Sequence, residues 1–289
     1  MTFLQSIFLG LLQGATEFLP VSSSAHLLLA QRLFGIREPE LAFDLLLHLG
    51  TLVAVLFFLR SEIASIVSSL FRRDPWAAPS GWGRRDIWLT IVASIPTGII
   101  GIAFHKTVET GLTFGGVGAR YLVLTTLLLL TNLRFRHKAD PDRMEWWEAA
   151  AIGVMQGLAV FPGLSRSGST IILALLLGIA PRRAAKFSFL ISIPAVLGGA
   201  LFTLKKGVSH LPGVAPSVAG FLVALVVGYI ALLLVERLVV KGRFQRFAPY
   251  TACLAALCFY LQYRGCPAPI AGFLAGGLPL RYARDFRPL

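Results

Sequence analysis

Charge is scarce in this sequence. Only 14% of its 289 residues are charged, where a soluble domain carries roughly 25%. With 56% hydrophobic residues and a mean hydropathy of +0.73, the deficit excludes an ordinary soluble fold. Several apolar runs reach about 20 residues, the length that crosses a bilayer as a helix. Acid is the scarcer sign: 14 Asp and Glu stand against 27 Lys and Arg, for a formal net charge of +13. In a soluble chain that excess would point to nucleic acid. Here it reads as Lys and Arg gathered in loops on one side of a membrane, so nucleic acid is not an expected partner. Cysteine is rarer still, with Cys253, Cys258 and Cys266 alone. An odd count at no metal-ligand spacing excludes a disulfide framework and a zinc site, and leaves packing as their role. The apolar segment Met1 to Leu12 has no basic residue ahead of it and no small-residue cleavage site. It is expected to remain in the mature protein rather than to serve as a signal peptide.

What the sequence does contain is one pattern twice. Gln13-Gly-Ala-Thr-Glu17-Phe-Leu-Pro20-Val-Ser22-Ser23-Ser24-Ala-His26 is echoed by Gln156-Gly-Leu-Ala-Val160-Phe161-Pro162-Gly163-Leu-Ser165-Arg166-Ser167-Gly168-Ser169-Thr170. Both carry Gln-Gly, a phenylalanine, a proline-containing turn and Ser-x-Ser at the head of an apolar segment. They differ in their chemistry: the first copy holds Glu17, Ser23 and His26, and the second holds Val160, Arg166 and Ser169. An acid, a hydroxyl and an imidazole stand on one side, and a fixed cation on the other.

The duplication extends to the organisation of the chain. Apolar helices before and after each motif are too short to span a bilayer, and a break at membrane depth is tolerated only where protein or a polar cavity covers it. Each pair therefore reads as a re-entrant hairpin. The expected architecture is an all-α integral membrane protein with an inverted-topology repeat, each half a hairpin plus three transmembrane helices. The first repeat covers 1–139, with the hairpin at 3–34 and spans at 41–59, 87–105 and 119–134. The second covers 140–289, with the hairpin at 146–179 and spans at 185–204, 216–235 and 248–263. An odd number of crossings inverts the second half. Loops 60–86, 134–145, 181–186 and 236–247 carry 16 Lys and Arg against 10 on the opposite side, so the first set is expected to face the cytoplasm. Both termini and the first hairpin then face outward, and the second hairpin enters from the cytoplasm.

Gln13 and Glu17 are four apart and share a helix face. An acid inside an apolar helix is costly and suggests function, although a carboxylate that only braces the hairpin through a hydroxyl would look the same. Ser22, Ser23 and Ser24 head one helix, and Ser165, Ser167 and Thr170 the other. Such residues are ordinary N-caps, and helix N-termini also offer free N–H groups to phosphate. Arg166 holds phosphate bidentately and stays charged; its partner is either Glu17, as a permanent ion pair, or an anionic substrate. His26, one turn from Ser23, is read as catalytic over a merely buried imidazole. Asp44 and His48, also four apart, read as a stabilising pair near the interface, and Pro96 as a helix kink.

At these residues the sequence resembles the undecaprenyl-diphosphate phosphatase family, also known for conferring bacitracin resistance. The matching motifs are Gln13-Gly-x-Thr-Glu17-Phe-Leu-Pro20-Val-Ser-Ser-Ser-x-His26 and Pro162-Gly163-x-Ser165-Arg166-Ser167-Gly168-x-Thr170, and the resemblance covers essentially the whole chain. It implies hydrolysis of a C55 polyprenyl diphosphate to the monophosphate and inorganic phosphate, which recycles the lipid carrier for cell-wall peptidoglycan synthesis in the bacterial plasma membrane. Carried over by motif, Glu17 is the essential acid, Ser23 the nucleophile, His26 its neighbour in proton transfer, and Arg166 the phosphate clamp. Gln13, Ser22, Ser24, Ser165, Ser167 and Thr170 would line the diphosphate site. The resemblance also implies a divalent cation, Mg²⁺ or Ca²⁺, with Glu17 as its candidate ligand; Gln13 stands where some members have a second glutamate, and Ala25 where glycine is common. The site is expected to open to the outer, periplasmic side, with the prenyl tail left in lipid. His26 or water could replace Ser23 as nucleophile, and a homodimer stays open. The competing reading is a polyprenyl-phosphate flippase or anion transporter on the same scaffold. A transporter would need a binding site but no nucleophile beside an acid.

Overall fold

The computed structural model describes residues 1–36, 41–71, 82–110, 113–132, 140, 142–205 and 212–264. Among them the structure is all-helical. The elements are α1 (Phe3–Glu17), α2 (Ser23–Leu33), α3 (Leu41–Phe58), α4 (Arg60–Ser69), α5 (Arg84–Thr110), α6 (Phe114–Leu130), α7 (Trp146–Leu158), α8 (Arg166–Leu176), α9 (Pro181–Lys205), α10 (Val214–Val240) and α11 (Ala248–Tyr263), with a 3-10 turn at Phe244–Phe247 before α11.

Local chemistry starts and stops these helices. Thr2 and Gln5 form a reciprocal capping box at the head of α1: the Gln5 N–H donates to Thr2 Oγ1 at 3.3 Å and the Thr2 N–H to Gln5 Oε1 at 2.7 Å. α1 ends at Glu17, three residues before Pro20, which has no N–H to continue the ladder. The chain then turns through Ser22, whose φ of +65° is unusual for a residue with a side chain. α7 ends before Pro162-Gly163, where Gly163 takes φ +102° and a Cβ would lie 2.7 Å from the Val117 carbonyl.

Three described helices are long and apolar enough to cross a membrane: α5, through the stretch Arg84–His105, α9 and α10. A fourth crossing is available if α3 and α4 count as one span bent by 68°. The outward faces are hydrocarbon, as Leu4, Ile99 and Leu201 show at 76%, 64% and 62% exposure.

Three sequence expectations change. Residues 60–69, assigned to a loop, form α4: Ile66 turns into the core and Ser65 donates to the Trp82 carbonyl at 2.8 Å. The span expected at 119–134 is a helix shifted to Phe114–Leu130, whereas the one expected at 248–263 is a helix with those bounds. α6 starts earlier because Thr113 caps it, accepting from the Gly116 N–H at 3.0 Å; residues 133 and 134 lie outside the described set. Of the cysteines, Cys258 is buried and Cys253 exposed, so packing accounts for only one of them; Cys266 lies outside the described residues.

Glycine sets the closest helix contacts. α1 lies along α10, and α7 along α5. A Cβ on Gly10 would sit 2.5 Å from the Gly220 carbonyl, and one on Gly14 2.8 Å from that of Ala224. Gly153 and Gly157 repeat the arrangement against Ala93 and Ile100 of α5. Small residues at helix crossings allow backbones to approach in this way. Gly153→Ala, which would overlap the Ala93 backbone, is expected to lower the thermal unfolding midpoint in detergent, at a cost of about 1–3 kcal/mol. Gly98→Ala, with nothing within 4 Å of its Cβ, should leave that midpoint unchanged or raise it.

Candidate active site

The two broken helices meet, and their turns exchange hydrogen bonds. The second turn reaches the first through Ser165, whose hydroxyl lies 3.1 Å from the Leu19 carbonyl, and through Ser167, 3.3 Å from the Glu17 carbonyl. The first turn reaches the second through Ser22, whose Oγ accepts the Gly163 N–H at 3.0 Å. Ser165 also caps α8, accepting from the Gly168 N–H at 3.1 Å. From outside, Tyr121 donates to the Val21 carbonyl at 3.1 Å and Arg120 Nε to the Pro162 carbonyl at 2.7 Å. These contacts hold Ser22 in its left-handed conformation, which costs about 1–2 kcal/mol.

Glu17 is the centre of the assembly and is 7% exposed. Its Oε1 accepts from Arg166 Nη2 in a short charge-assisted bond. Its Oε2 accepts from Ser23 Oγ at 2.6 Å and from Gln13 Nε2 at 3.0 Å. One carboxylate thus gathers the cation of the second motif and the hydroxyl and amide of the first. Arg166 Nη1 is buried with no hydrogen-bond partner in the structure, so half of the guanidinium fork is left unsatisfied. Glu17, Ser22, Ser23, Ser24, Ser165 and Arg166 line one cavity of about 630 Å³, whose remaining walls come mainly from α5 and α9.

Not every candidate joins this cluster. His26 is absent from the cavity lining. Its Nδ1 lies 2.8 Å from the Ser22 carbonyl and its Nε2 2.7 Å from the Tyr250 hydroxyl. A carbonyl can only accept, so Nδ1 carries the proton and Nε2 accepts from Tyr250, against whose ring the imidazole stacks. Neither nitrogen is left for Ser23. Thr170 turns away as well, bonding Ser188 at 2.5 Å and the Arg166 carbonyl at 2.8 Å.

His48, read from the sequence as half of an interface pair, belongs to the cavity instead. Its Nε2 lies 3.7 Å from Glu17 Oε2. The expected pairing fails because the Asp44 carboxylate accepts from Gln31 at 2.6 Å, while His48 Nδ1 bonds the Asp44 backbone carbonyl at 2.7 Å. Its i, i+4 spacing to Asp44 was the only local signal, and it pointed to the wrong partner; the approach to Glu17 depends on how α3 packs against α1.

The residues present do not fit a resident divalent cation. Among the described residues no three His, Cys, Asp or Glu side chains group as a metal site would need. Glu17 is already engaged by a guanidinium, and Gln13 presents its amide N–H to it rather than an oxygen.

A bundle of apolar helices that encloses a carboxylate, a guanidinium and a serine in one cavity is a multi-pass membrane protein with a buried ionic centre. Comparison with known proteins makes the class specific. A family model described as bacitracin resistance protein BacA matches residues 6–257, and the chain belongs to that family. Among its relatives is a protein of Desulfosudis oleivorans named undecaprenyl-diphosphatase, 41% identical over 272 residues that cover 90% of this chain and 99% of the relative. Proteins of the same name from Carboxydothermus hydrogenoformans and Caldicellulosiruptor bescii are 38% and 40% identical over 271 residues, covering 92% and 90% of this chain and 99% and 98% of theirs.

If the serines of the second turn stitch the site together, Ser165→Ala should cost about 0.5–2 kcal/mol through the lost cap, read as a lower unfolding midpoint in detergent. Ser24→Ala, whose side chain is exposed, should leave the midpoint unchanged.

Proposed function

We propose that the protein is an undecaprenyl-diphosphate phosphatase: it hydrolyses the terminal phosphate from a polyprenyl diphosphate, releasing the lipid monophosphate and inorganic phosphate. The observation that carries this reading is the convergence of Ser23 Oγ and Arg166 Nη2 on one buried carboxylate at the wall of a cavity. A carrier of anions would need the guanidinium but not a hydroxyl bonded to an acid beside it.

In the proposed reaction the terminal phosphoryl group binds against the Arg166 guanidinium and satisfies its unpartnered Nη1. The guanidinium and the free N–H groups at the head of α2 take the charge on its oxygens, the contribution expected to dominate phosphoryl transfer. Ser23 Oγ attacks the terminal phosphorus and its proton passes to Glu17 Oε2, 2.6 Å away. The bond from that phosphorus to the bridging oxygen breaks, and polyprenyl phosphate leaves. Water then attacks the phosphoserine, with Glu17 managing its proton, to release phosphate and restore Ser23. The engaged nitrogens of His26 favour Ser23 over His26 as nucleophile; direct attack by water, which forms no adduct, is the remaining variant. A divalent cation, Mg²⁺ or Ca²⁺, is assigned to the diphosphate as the counter-ion it arrives with.

The finer architecture belongs to the same proposal. Two inverted repeats, 1–139 and 140–289, are supported by the way the helices pair. Exchanging the halves converts the packing of α1 on α10 into that of α7 on α5, while α3 with α9 and α6 with α11 pair across the halves. The glycine pairs Gly10/Gly14 and Gly153/Gly157 obey the same exchange. The basic loops, with the ion pairs Arg85–Glu145, Arg182–Glu236 and Lys186–Glu62, are assigned to the cytoplasmic side, which turns the cavity to the outer face of the bacterial plasma membrane.

The test is phosphate release from a C15 or C55 polyprenyl diphosphate by purified protein in detergent. Arg166→Lys, which keeps the charge but loses the fork, should lower turnover by roughly 10²–10³-fold, and Ser23→Ala by roughly 10²–10⁴-fold, in samples that still fold. Near-normal turnover by Ser23→Ala would move the nucleophile to water, and no release by folded wild type would favour the transporter.

A further inference from the structure

Most glycines in the described helices pack closely against a neighbour, but four, three of them exposed and Gly101 half-buried, do not. Gly98 and Gly101 of α5 and Gly198 and Gly199 of α9 have nothing within 4 Å of the position a Cβ would take. Each costs about 1 kcal/mol of helix propensity relative to alanine, and none allows two backbones to approach. All four line the same cavity as Glu17, Ser23 and Arg166, together with Pro194, Ala195 and Ile102. The space they leave is therefore continuous with the ionic centre. At the other end of that space lies Arg166, whose Nη1 has no hydrogen-bond partner in the structure.

We infer that the glycines of α5 and α9 form a groove that takes the first isoprene units of the lipid inside the protein, so that the tail does not pass directly from the headgroup into the bilayer. The inference rests on the phosphatase reading for the identity of the lipid, and it assigns chain-length selectivity to these glycines. The volume sets its reach. At about 30 Å³ per non-hydrogen atom, the share of one water in the liquid, a cavity of about 630 Å³ holds roughly twenty such atoms. A diphosphate accounts for about nine, and about two isoprene units for the rest. The occupant is an apolar chain because the wall beyond the ionic centre is mainly apolar, with Ile102, Pro194, Ala195, Val196 and Phe202 beside the glycines and Ser94, Thr97, His105 and Thr203 as its polar members, and because a chain tethered to a bound diphosphate is the one apolar group that the reaction places there. The remainder of a C55 tail leaves between α5 and α9, past outward faces that are already hydrocarbon at Ile99 and Leu201.

The wild-type enzyme should therefore distinguish a C5 from a C15 diphosphate strongly, by tenfold or more in KM, and distinguish C15 from C55 little in the same detergent. Gly98→Leu and the milder Gly199→Ala fill the groove without touching the ionic centre. Gly98→Leu is expected to raise KM for farnesyl diphosphate at least tenfold and leave that for dimethylallyl diphosphate within twofold, with Gly199→Ala shifting in the same direction by less. Ile99→Ala, on the outward face of the same helix, should change neither. Equal losses on both substrates in the glycine variants, or no loss on either, would overturn the groove. A second readout does not depend on turnover: farnesyl monophosphate should raise the unfolding midpoint of the wild type, and this shift should be lost in Gly98→Leu while the shift given by inorganic phosphate persists. A folded wild type that binds farnesyl monophosphate through the groove but hydrolyses no polyprenyl diphosphate would refute the phosphatase reading and retain the groove. Stabilisation by farnesyl monophosphate that survives unchanged in Gly98→Leu would refute the groove whatever the activity.

Discussion

A carboxylate and a guanidinium inside a bundle of hydrocarbon helices impose one requirement on everything around them: they must meet. Removing either charge from water is expensive, and an unpaired one would cost several kcal/mol. Glu17 lies at the end of α1 and Arg166 at the head of α8, 149 residues apart in the chain. Their pairing therefore brings the broken helix of the first motif against that of the second. The surrounding contacts serve the same closure. Ser165 and Ser167 satisfy carbonyls that the broken α1 leaves open, and Ser22 satisfies an N–H of the Pro162-Gly163 turn. In a low-dielectric interior unsatisfied backbone groups are nearly as costly as unpaired charges, so the turns could not lie at this depth without each other.

The two copies of the motif share a scaffold and divide the chemistry. Gln13 spends its amide on Glu17, whereas the equivalent Gln156 faces Val160 in sequence and donates instead to Thr97 and to the Ile191 carbonyl. The result is a one-sided site in a two-sided frame. Glycine shows a similar division of labour. At Gly10, Gly14, Gly153 and Gly157 the missing Cβ lets helices touch; on the cavity wall of α5 and α9 it leaves a volume next to the ions unfilled. The first use builds the frame, and the second leaves room for an occupant.

How far the sequence could be read follows from the range of the signals involved. Long apolar runs, interrupted helices and a lone acid among hydrocarbon are local features, visible as patterns of adjacent residues, and they led to an all-helical membrane protein with Glu17, Ser23 and Arg166 as residues of interest. The bend that separates α4 from α3 was missed because Arg60 reads as a loop residue, and the helix is held by packing of Ile66, a bond from Ser65 to Trp82 and the ion pair of Glu62 with Lys186. His48 was assigned to Asp44 because an i, i+4 pair is the strongest contact that a sequence can propose, although Gln31 had taken the carboxylate. His26 looked catalytic by its distance along the chain from Ser23; its ring is instead engaged by Tyr250, 224 residues away.

By itself, then, the sequence determined the medium, the helical class, the two interrupted hairpins and the residue types that can bind and attack a phosphate, because composition and periodicity act over a few turns of chain. Tertiary structure decided which of those residues share a cavity: that Arg166 closes on Glu17, that His48 replaces His26 at its side, and that four glycines open a groove rather than a contact. Those outcomes depend on the direction in which side chains leave helices far apart in sequence, which is set when α1, α3, α5 and α9 pack and by nothing within any one of them.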